Sequence, residues 1–476
     1  MRGNRKGMKT PGSLPDGDTI AAVSTPYGIG GIGIVRITGA RAEEIARALF
    51  RPKRPLPHFL SHRLYYGHIV DPVDNVVVDE ALVVLMRAPR SYTKEDVVEI
   101  QCHGGYLPVQ RVLELVLAQG CRLALPGEFT QRAFLNGRID LAQAEAVLDL
   151  IEAKTRIASR CAQQQLAGAL SLEIERIRGT LQDLLVRLEA EIDFPDEEGV
   201  PATSPREMVP VLERCDQALG ELASTYQEGH LYRDGMTVVI AGKPNVGKST
   251  LMNALLGRDR ALVSPTPGTT RDFIDGELSI GGIPVRIVDT AGLRPAREGV
   301  EALGIEAARD QIAKADAVLL LFDASSMGPS DVEECVGWVP EKERVVVVLN
   351  KIDLVGERAL LERPKGPIEG FPQVMISALY GHGIEALKRA ILDLAVHTGI
   401  DLDSRVIVTN TRHYRALQEC RAALDRARAQ LEGCEPYVDL VAADVRDALD
   451  RLGEILGTTA GQDILASIFS RFCIGK

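Results

Sequence analysis

Thr237-Val-Val-Ile-Ala-Gly-Lys-Pro-Asn-Val-Gly-Lys-Ser249 is a β-branched run that enters a glycine turn, and Leu251-Met-Asn-Ala-Leu-Leu256 leaves it with helical character. The turn has the spacing G-x-x-x-x-G-K-[ST], a phosphate-binding loop. Strand, turn and helix in that order let successive backbone N–H groups converge on phosphate oxygens, and the helix N-terminus adds partial positive charge. Asn245, Val246, Gly247, Lys248, Ser249 and Thr250 form this cradle. The Lys248 ammonium is placed to reach β- and γ-phosphates, and the Ser249 hydroxyl to ligate Mg²⁺.

The motifs that follow choose the nucleotide. Val285-Arg-Ile-Val-Asp289 is an apolar strand that runs into Asp289-Thr-Ala-Gly292. In that order Asp289 holds Mg²⁺, Gly292 senses the γ-phosphate, and Thr290 and Ala291 lie between them. Val345-Val-Val-Val-Leu349 leads into Asn350-Lys-Ile-Asp353, and Val374-Met-Ile376 into Ser377-Ala-Leu379. A carboxylate at Asp353 accepts from guanine N1–H and its exocyclic amine; adenine offers neither donor and would leave the carboxylate unpaired. Asn350, Lys351 and Asp353, with Ser377, Ala378 and Leu379, are therefore the base-reading set, and the nucleotide is GTP. Between phosphate loop and Asp289 lie Ser264, Pro265, Thr266, Pro267, Gly268, Thr269 and Thr270. A switch segment there must supply a hydroxyl to Mg²⁺, and Thr270 is the candidate. The residue after Gly292 is Leu293, where a Gln is a familiar orienter of the attacking water. An apolar side chain cannot do this; Arg294, Arg297, Glu298 and Glu301 follow, and composition alone does not choose among them.

A GTPase domain needs only about a third of 476 residues, so about two or three domains are expected. The composition, 45% hydrophobic and 25% charged with a net charge of −11, is that of a globular protein and excludes a uniformly basic nucleic-acid binder. No run approaches the roughly 20 apolar residues of a membrane span. Residues 1–17 read as a disordered leader without a signal core, in a cytoplasmic protein. The cysteines are scattered without a C-x-x-C pair, so neither a disulfide framework nor a zinc site is indicated.

Residues 18–136 alternate short strand-like runs, Thr19–Val23, Ile32–Ile37, Ala81–Leu85 and Val97–Ile100, with glycines. They form an α+β domain. The Gly28-x-Gly-Gly-x-Gly33 cluster lacks a following βαβ unit and reads as a tight turn or bulge. Residues 137–232 carry helical periodicity, as in Leu172, Ile174, Ile177, Leu181, Leu184, Leu185, Leu188 and Ile192, which Pro195 should end. Residues 399–476 read as helical again, over Val406–Leu431, Tyr437–Leu456 and Gln462–Phe472. The expected fold is multidomain α/β: an N-terminal α+β domain, then a helical domain interrupted by a Ras-like P-loop GTPase at 233–398 with a mostly parallel sheet.

Gly31-Ile-Gly-Ile-Val-Arg-Ile37, His103-Gly-Gly105, Pro126-Gly-Glu-Phe-Thr130, Arg132-Ala-Phe-Leu-Asn-Gly-Arg-Ile-Asp-Leu141, Ala144-Glu-Ala146, Asp193-Phe-Pro-Asp-Glu-Glu198, Pro267-Gly-Thr-Thr-Arg-Asp272 and the terminal Cys473-Ile-Gly-Lys476 complete the pattern. With them nearly the whole chain resembles the MnmE (TrmE) family of tRNA-modification GTPases. The resemblance implies a homodimer built through the N-terminal domain. It also implies that the chain works with the flavoprotein MnmG, which carries FAD, to place an aminomethyl or carboxymethylaminomethyl group on carbon 5 of the wobble uridine of certain tRNAs. A reduced folate, 5-formyl- or 5,10-methylene-tetrahydrofolate, supplies the carbon, and the matching folate positions are Arg36, Glu99, Arg138 and Lys476. Arg138 stands where the family commonly has Lys.

The resemblance also addresses Leu293. It implies K⁺-dependent pairing of GTPase domains, with K⁺ near Asn245, Ser264, Thr266 and Thr269, and gives the water-orienting role to Glu301. Arg271, Asp272 and Arg294 match residues that couple switch order to pairing, and Cys473 is either a nucleophile or a buried structural thiol. The competing reading is a ribosome-assembly GTPase of the Era or Der type without modification chemistry. Such proteins carry an RNA-binding appendage or a second GTPase, and this chain has neither a Gly-x-x-Gly clamp in its tail nor a second phosphate loop.

Overall fold

The computed structural model describes residues 18–26, 28–194, 204–258, 275–289, 310–339, 342–355, 368–395, 406–431 and 437–476. These fall into two compact units, one made of the described residues before Asp149 together with Leu449–Lys476, the other of Asp149–Ala448.

The first unit is built on a seven-stranded sheet of β1 (Ile20–Val23), β2 (Ile32–Thr38), β3 (Phe50–Pro52), β4 (Leu64–Val70), β5 (Val77–Met86), β6 (Val97–His103) and β7 (Arg122–Leu123), in the order β3-β4-β5-β6-β2-β1-β7. Alternation along β2 and β6 decides what each face carries. Val35, Ile37, Val98 and Ile100 point into a core closed by helices Ala42–Leu49 and Tyr106–Ala118. Arg36 and Glu99, directly opposite one another in the antiparallel register, occupy the other face. Helix Glu128–Leu135 sends Phe129 against Ile20 and Ala22. Helix Gln462–Ser470 joins the unit through Ile468, Phe469 and Phe472, packed with Leu141, Ala144 and Leu148.

The second unit contains a six-stranded sheet of β8 (Met236–Ala241), β9 (Asp275–Ile280), β10 (Ile283–Asp289), β11 (Ala317–Asp323), β12 (Val345–Asn350) and β13 (Gln373–Met375), in the order β13-β12-β11-β8-β10-β9. Every pair is parallel except β9 with β10. Strands β8, β11 and β12 are buried on both faces, which explains their unbroken Val/Ile/Leu runs. Order reverses around β8, so the carboxyl ends of β8, β10 and β11 open a crevice of the kind in which α/β sheets bind ligands. This is the Ras-like domain expected from the motifs.

The helices of this unit include Arg156–Leu166, Ala169–Asp193, Pro205–Ser224, Tyr226–Asp234 and Thr411–Leu431. Leu170, Ile174, Ile177, Leu181, Leu184 and Leu188 are buried along one stripe of the long helix. Leu172 falls off that stripe and is 71% exposed, unlike the periodicity reading. The helix expected from Val406 begins instead at Thr411, because Ile407–Thr409 are bonded sideways: Gln165 Nε2 donates to the Ile407 carbonyl and Thr409 Oγ1, and Val408 N donates to Thr225 Oγ1. Strands β3, β4 and β7 were not anticipated. In β4, Leu-Tyr-Tyr-Gly-His has no clean alternation, and β7 is two residues long.

Glu128, with no exposed side-chain surface, holds the first unit's corner. It accepts from Arg122, from Arg132 and from the Leu125 amide. Burial pushes its carboxyl up, but these donors together hold it below the ordinary value of 4.5. Its stabilisation is therefore fully present above that value and is lost as pH falls through the lower folded-state value. Glu128→Gln is expected to cost about 3 kcal/mol of local stability at neutral pH, because it leaves the buried Arg132 under-compensated. Faster amide hydrogen exchange in β1 and β7 is the readout, and the difference from wild type should shrink in acid.

Candidate functional site

The phosphate loop leaves the end of β8 and closes into helix Lys248–Arg258. Gly247 has a φ of +100°, and a Cβ there would run into the Asn350 amide, so only glycine fits. Lys248 is 7% exposed, and its Nζ donates to the carbonyls of Gly242 and Lys243 at 2.9 and 2.8 Å. These bonds curl the ammonium over the mouth of the loop, where a phosphate oxygen would compete for it. Ser249 Oγ donates to Asp289 Oδ2 at 2.8 Å. The pair joins the loop to the end of β10 and presents hard oxygen donors side by side. That set fits Mg²⁺, which takes one or two protein oxygens and completes its shell with phosphates and water. Among the described residues no cluster of His, Cys, Asp and Glu could hold a metal unaided.

The residues expected to read the base meet the same loop. Asn350 Nδ2 donates to the Val246 carbonyl at 2.9 Å, while its Oδ1 accepts from the Ala378 amide at 3.0 Å. Lys351 adopts a left-handed backbone, φ +64°, that sends its side chain back across the loop. Its Nζ donates to the Asn245 carbonyl at 2.8 Å and to Asp323 Oδ2 at 2.7 Å. Ser377 Oγ donates to Asp353 Oδ1 at 2.5 Å, which fixes the carboxylate at the rim. Leu379 is 70% exposed beside it. Asp323 was missed by the sequence reading, although an Asp ending the apolar β11 was visible. Burial would raise its carboxyl, but Lys351 and Ser325 overcome that and keep it below the usual range.

Several expected residues fall outside the described residues: Ser264, Pro265, Thr266, Pro267, Gly268, Thr269, Thr270, Arg271, Asp272, Thr290, Ala291, Gly292, Arg294 and Glu301. Asn245, an expected K⁺ position, is described, exposed and left-handed with φ +64°.

A second constellation lies in the first unit. Arg36 donates through Nε and Nη2 to Glu99 Oε1 at 3.0 and 2.8 Å, and through Nη1 to the Gly475 carbonyl at 3.4 Å. Ser24 Oγ donates to the same carbonyl at 3.2 Å. Gly475 has a φ of +97°, and a Cβ there would meet the Val23 carbonyl, so the tail's approach to β1 requires glycine. Burial, and after it the Arg36 charge, push the Lys476 ammonium below its ordinary range, while Glu99 pulls it back. The Arg36 guanidinium lies 5.6 Å from the Tyr92 ring centroid and 5.7 Å from that of Phe129, and Arg138 lies 4.8 Å from Tyr92. Arg36 thus links all four: it lies against Tyr92 and Phe129, which periodicity did not single out, shares the Tyr92 ring with Arg138, and interacts with Glu99 and Lys476. Cys473 is exposed, contrary to the buried-thiol alternative, and its carbonyl accepts from Lys476 N. Cys102, Cys121, Cys161, Cys215, Cys335 and Cys420 are buried.

Strand order, phosphate loop, Mg²⁺-type oxygen pair and guanine-reading corner define a P-loop GTPase joined to an α+β domain and helices. The family descriptions "GTP-binding protein TrmE N-terminus" and "MnmE helical domain" match residues 19–138 and 141–473. The chain is 46% identical over 464 residues to the tRNA modification GTPase MnmE of Geobacter metallireducens, covering 96% of this chain and 99% of that one. It is 47% identical over 461 residues to that of Geotalea uraniireducens, with the same coverage. In a crystal structure with GDP and aluminium fluoride, Aquifex aeolicus Era aligns with 40% of this chain and 66% of its own, at 30% identity and a TM-score of 0.28. The chain belongs to the tRNA modification GTPase MnmE family.

Asp353→Asn replaces an acceptor of two guanine donors with an amide. GTP affinity should fall by about a hundredfold, and that for xanthosine triphosphate, which carries a carbonyl at C2, should rise. Competition binding with the two nucleotides measures the switch.

Proposed function

We propose that this GTPase uses K⁺-stimulated hydrolysis to drive a folate-dependent modification of tRNA. With the flavoprotein MnmG it adds an aminomethyl or carboxymethylaminomethyl group to carbon 5 of the wobble uridine. GTP hydrolysis and a role in tRNA modification follow from family membership. The folate step is carried by one observation: the terminal Gly475-Lys476 is docked on the Arg36–Glu99 pair, beside Tyr92 and Phe129.

In the nucleotide site, Lys248 exchanges its carbonyl partners for β- and γ-phosphate oxygens, Ser249 and Asp289 hold Mg²⁺, and Asp353 reads the base. Bound Mg²⁺ neutralises charge on the β- and γ-phosphates. Thr270 supplies the switch hydroxyl. Leu293 cannot orient water, so Glu301 takes that part, while Arg271, Asp272 and Arg294 tie switch order to pairing of two GTPase domains. Asn245, Ser264, Thr266 and Thr269 would hold K⁺ at that pairing face, where a cation would offset charge developing between the phosphates.

In the folate site, Glu99 Oε1 is taken by Arg36, and Oε2 has no hydrogen-bond partner among the described residues. It is free to accept from the pterin amine and ring N–H, and Arg138 and Lys476 suit the glutamate carboxylates. Cys473 sits on the same tail, exposed, where a thiol nucleophile would be accessible. The working unit is a homodimer through the N-terminal domain, in the cytoplasm. Among the described residues no helix is long and apolar enough to cross a membrane.

GTP turnover should be at least tenfold faster in KCl than in NaCl at equal ionic strength; equal rates would remove K⁺ from the mechanism. Arg36→Ala should weaken 5-formyltetrahydrofolate binding by about 10- to 100-fold, since it removes a charged hydrogen-bonding group and frees the tail. Unchanged affinity by calorimetry would count against the folate reading.

A further inference from the structure

Beyond Arg138 the first unit continues into a surface groove. One stretch is lined by His62, Met86, Arg90, Tyr92, Lys94 and Arg138. The next shares His62, Pro89 and Arg90 and adds Ser61 and Arg87. The two adjoin, so the groove runs from the Tyr92 ring, whose other neighbour is Arg36, out to Arg87. Its charged side chains are all basic. Arg87 is partly neutralised, by Glu43 at 2.7 Å and Asp96 at 3.8 Å. Lys94 donates to the Gly137 carbonyl at 2.7 Å. Arg90 and Arg138 have no carboxylate within 4.0 Å among the described residues.

Backbone conformation points to the same place. His62 and Lys94, both lining the groove, are left-handed, with φ of +61° and +59°. Non-glycine residues held there store strain that concentrates at ligand sites. The Lys94 side chain is pinned to Gly137, next to Arg138, and His62 is fixed by its amide to the Leu85 carbonyl at 2.7 Å and by Ser61 Oγ to its Nδ1 at 2.8 Å. The rim is thus preorganised, while among the described residues Arg90 and Arg138 have no carboxylate partner. A shallow groove with spaced guanidiniums does not suit a compact apolar molecule. It suits an extended chain with a carboxylate at each repeat, because a guanidinium fork matches a carboxylate in two-point geometry.

We propose that this groove binds the γ-linked polyglutamate tail of the folate, with Arg138 meeting the first glutamate and Lys94, Arg90 and Arg87 the later ones. The assignment rests on the folate reading of Arg36, Glu99 and Lys476. The groove starts at the same aromatic ring as that site, which favours the folate's own tail over an unrelated anion. Exposed carboxylate–arginine pairs are individually weak, so selectivity for chain length comes from several in series and weakens with salt.

The test is calorimetric binding of 5-formyltetrahydrofolate in its monoglutamyl and pentaglutamyl forms to the full chain, to Arg90→Ala and to Arg90→Lys. The pentaglutamate is expected to bind wild type about tenfold tighter than the monoglutamate, with the advantage reduced to twofold or less in Arg90→Ala, partly kept in Arg90→Lys, and diminished in 0.5 M NaCl, a condition chosen to shorten the screening length to a few ångströms (roughly 4 Å). Equal binding of the two forms to wild type overturns the proposal and leaves the folate site standing. Binding of neither form removes both. If Arg90→Ala keeps the chain-length advantage and instead loses affinity for tRNA, the groove belongs to an RNA backbone and the proposal fails.

Discussion

The second unit depends on the fixed shape of one loop. A phosphate cradle works only if its backbone amides already converge before the ligand arrives, and a glycine-rich turn has no intrinsic reason to hold that shape. Here Asn350 supplies it. Its amide bridges the Val246 carbonyl and the Ala378 amide, so phosphate loop, β12 and the turn after β13 are tied at one side chain. Lys351 adds a tie to the Asn245 carbonyl and is itself braced by Asp323. The residues expected to read the base are thereby the residues that set the shape of the phosphate loop. Losing Asn350 would loosen both ends of the nucleotide at once.

A second constraint ties β10 to the helices of this unit. Strands β9 and β10 form an antiparallel hairpin. Gly281 and Gly282 at its tip are left-handed and closely packed: a Cβ on Gly282 would run into Ile157, and one on Gly281 would meet Leu392. Lys154 Nζ pairs with Glu277 of β9 at 2.5 Å. On the other flank Gly235 lies against the Pro284 carbonyl, at the end of helix Tyr226–Asp234. That helix is clamped to Thr411–Leu431 by stacked rings, Tyr226 on Tyr414 with centroids 4.3 Å apart, and Tyr226 Oη is hydrogen-bonded with Thr411 Oγ1. A strand that carries Asp289 at one end and touches the helices at the other is a physical link between the Ser249–Asp289 oxygen pair and the helical layer. Close-packed contacts transmit displacement because they have little room to absorb it.

The legible part of this structure was local. The phosphate loop, Asn350-Lys-Ile-Asp353 and the apolar strands β8, β10 and β12 each carry their meaning within a dozen residues, and their order named the domain. The extended Ile407–Thr409 segment was not legible, since its partners Gln165 and Thr225 lie far away in the chain and a helical pattern runs on either side. Strand β4 was hidden for the same kind of reason: its pairing to β5 is set by the sheet, against a sequence of mixed polarity. In the first unit, alternation could say that Arg36 and Glu99 leave the apolar face, but not that they are opposite one another, nor that Tyr92 and Phe129 flank them. Those are facts of register and of a helix packed across the sheet.

The tail shows why long-range closure matters chemically. Arg36 and Gly475 are 439 positions apart, and their contact places Lys476 beside a guanidinium. Two cations brought together in a partly buried corner repel, so burial first and Arg36 second push the Lys476 ammonium below its ordinary range. Glu99 offsets only part of this, because its Oε1 is already committed to Arg36. While the ammonium is charged, docking the tail therefore costs free energy that hydrophobic contacts of Phe469 and Phe472 must offset. An anionic group arriving between Arg36 and Lys476 would remove that cost and be held by both.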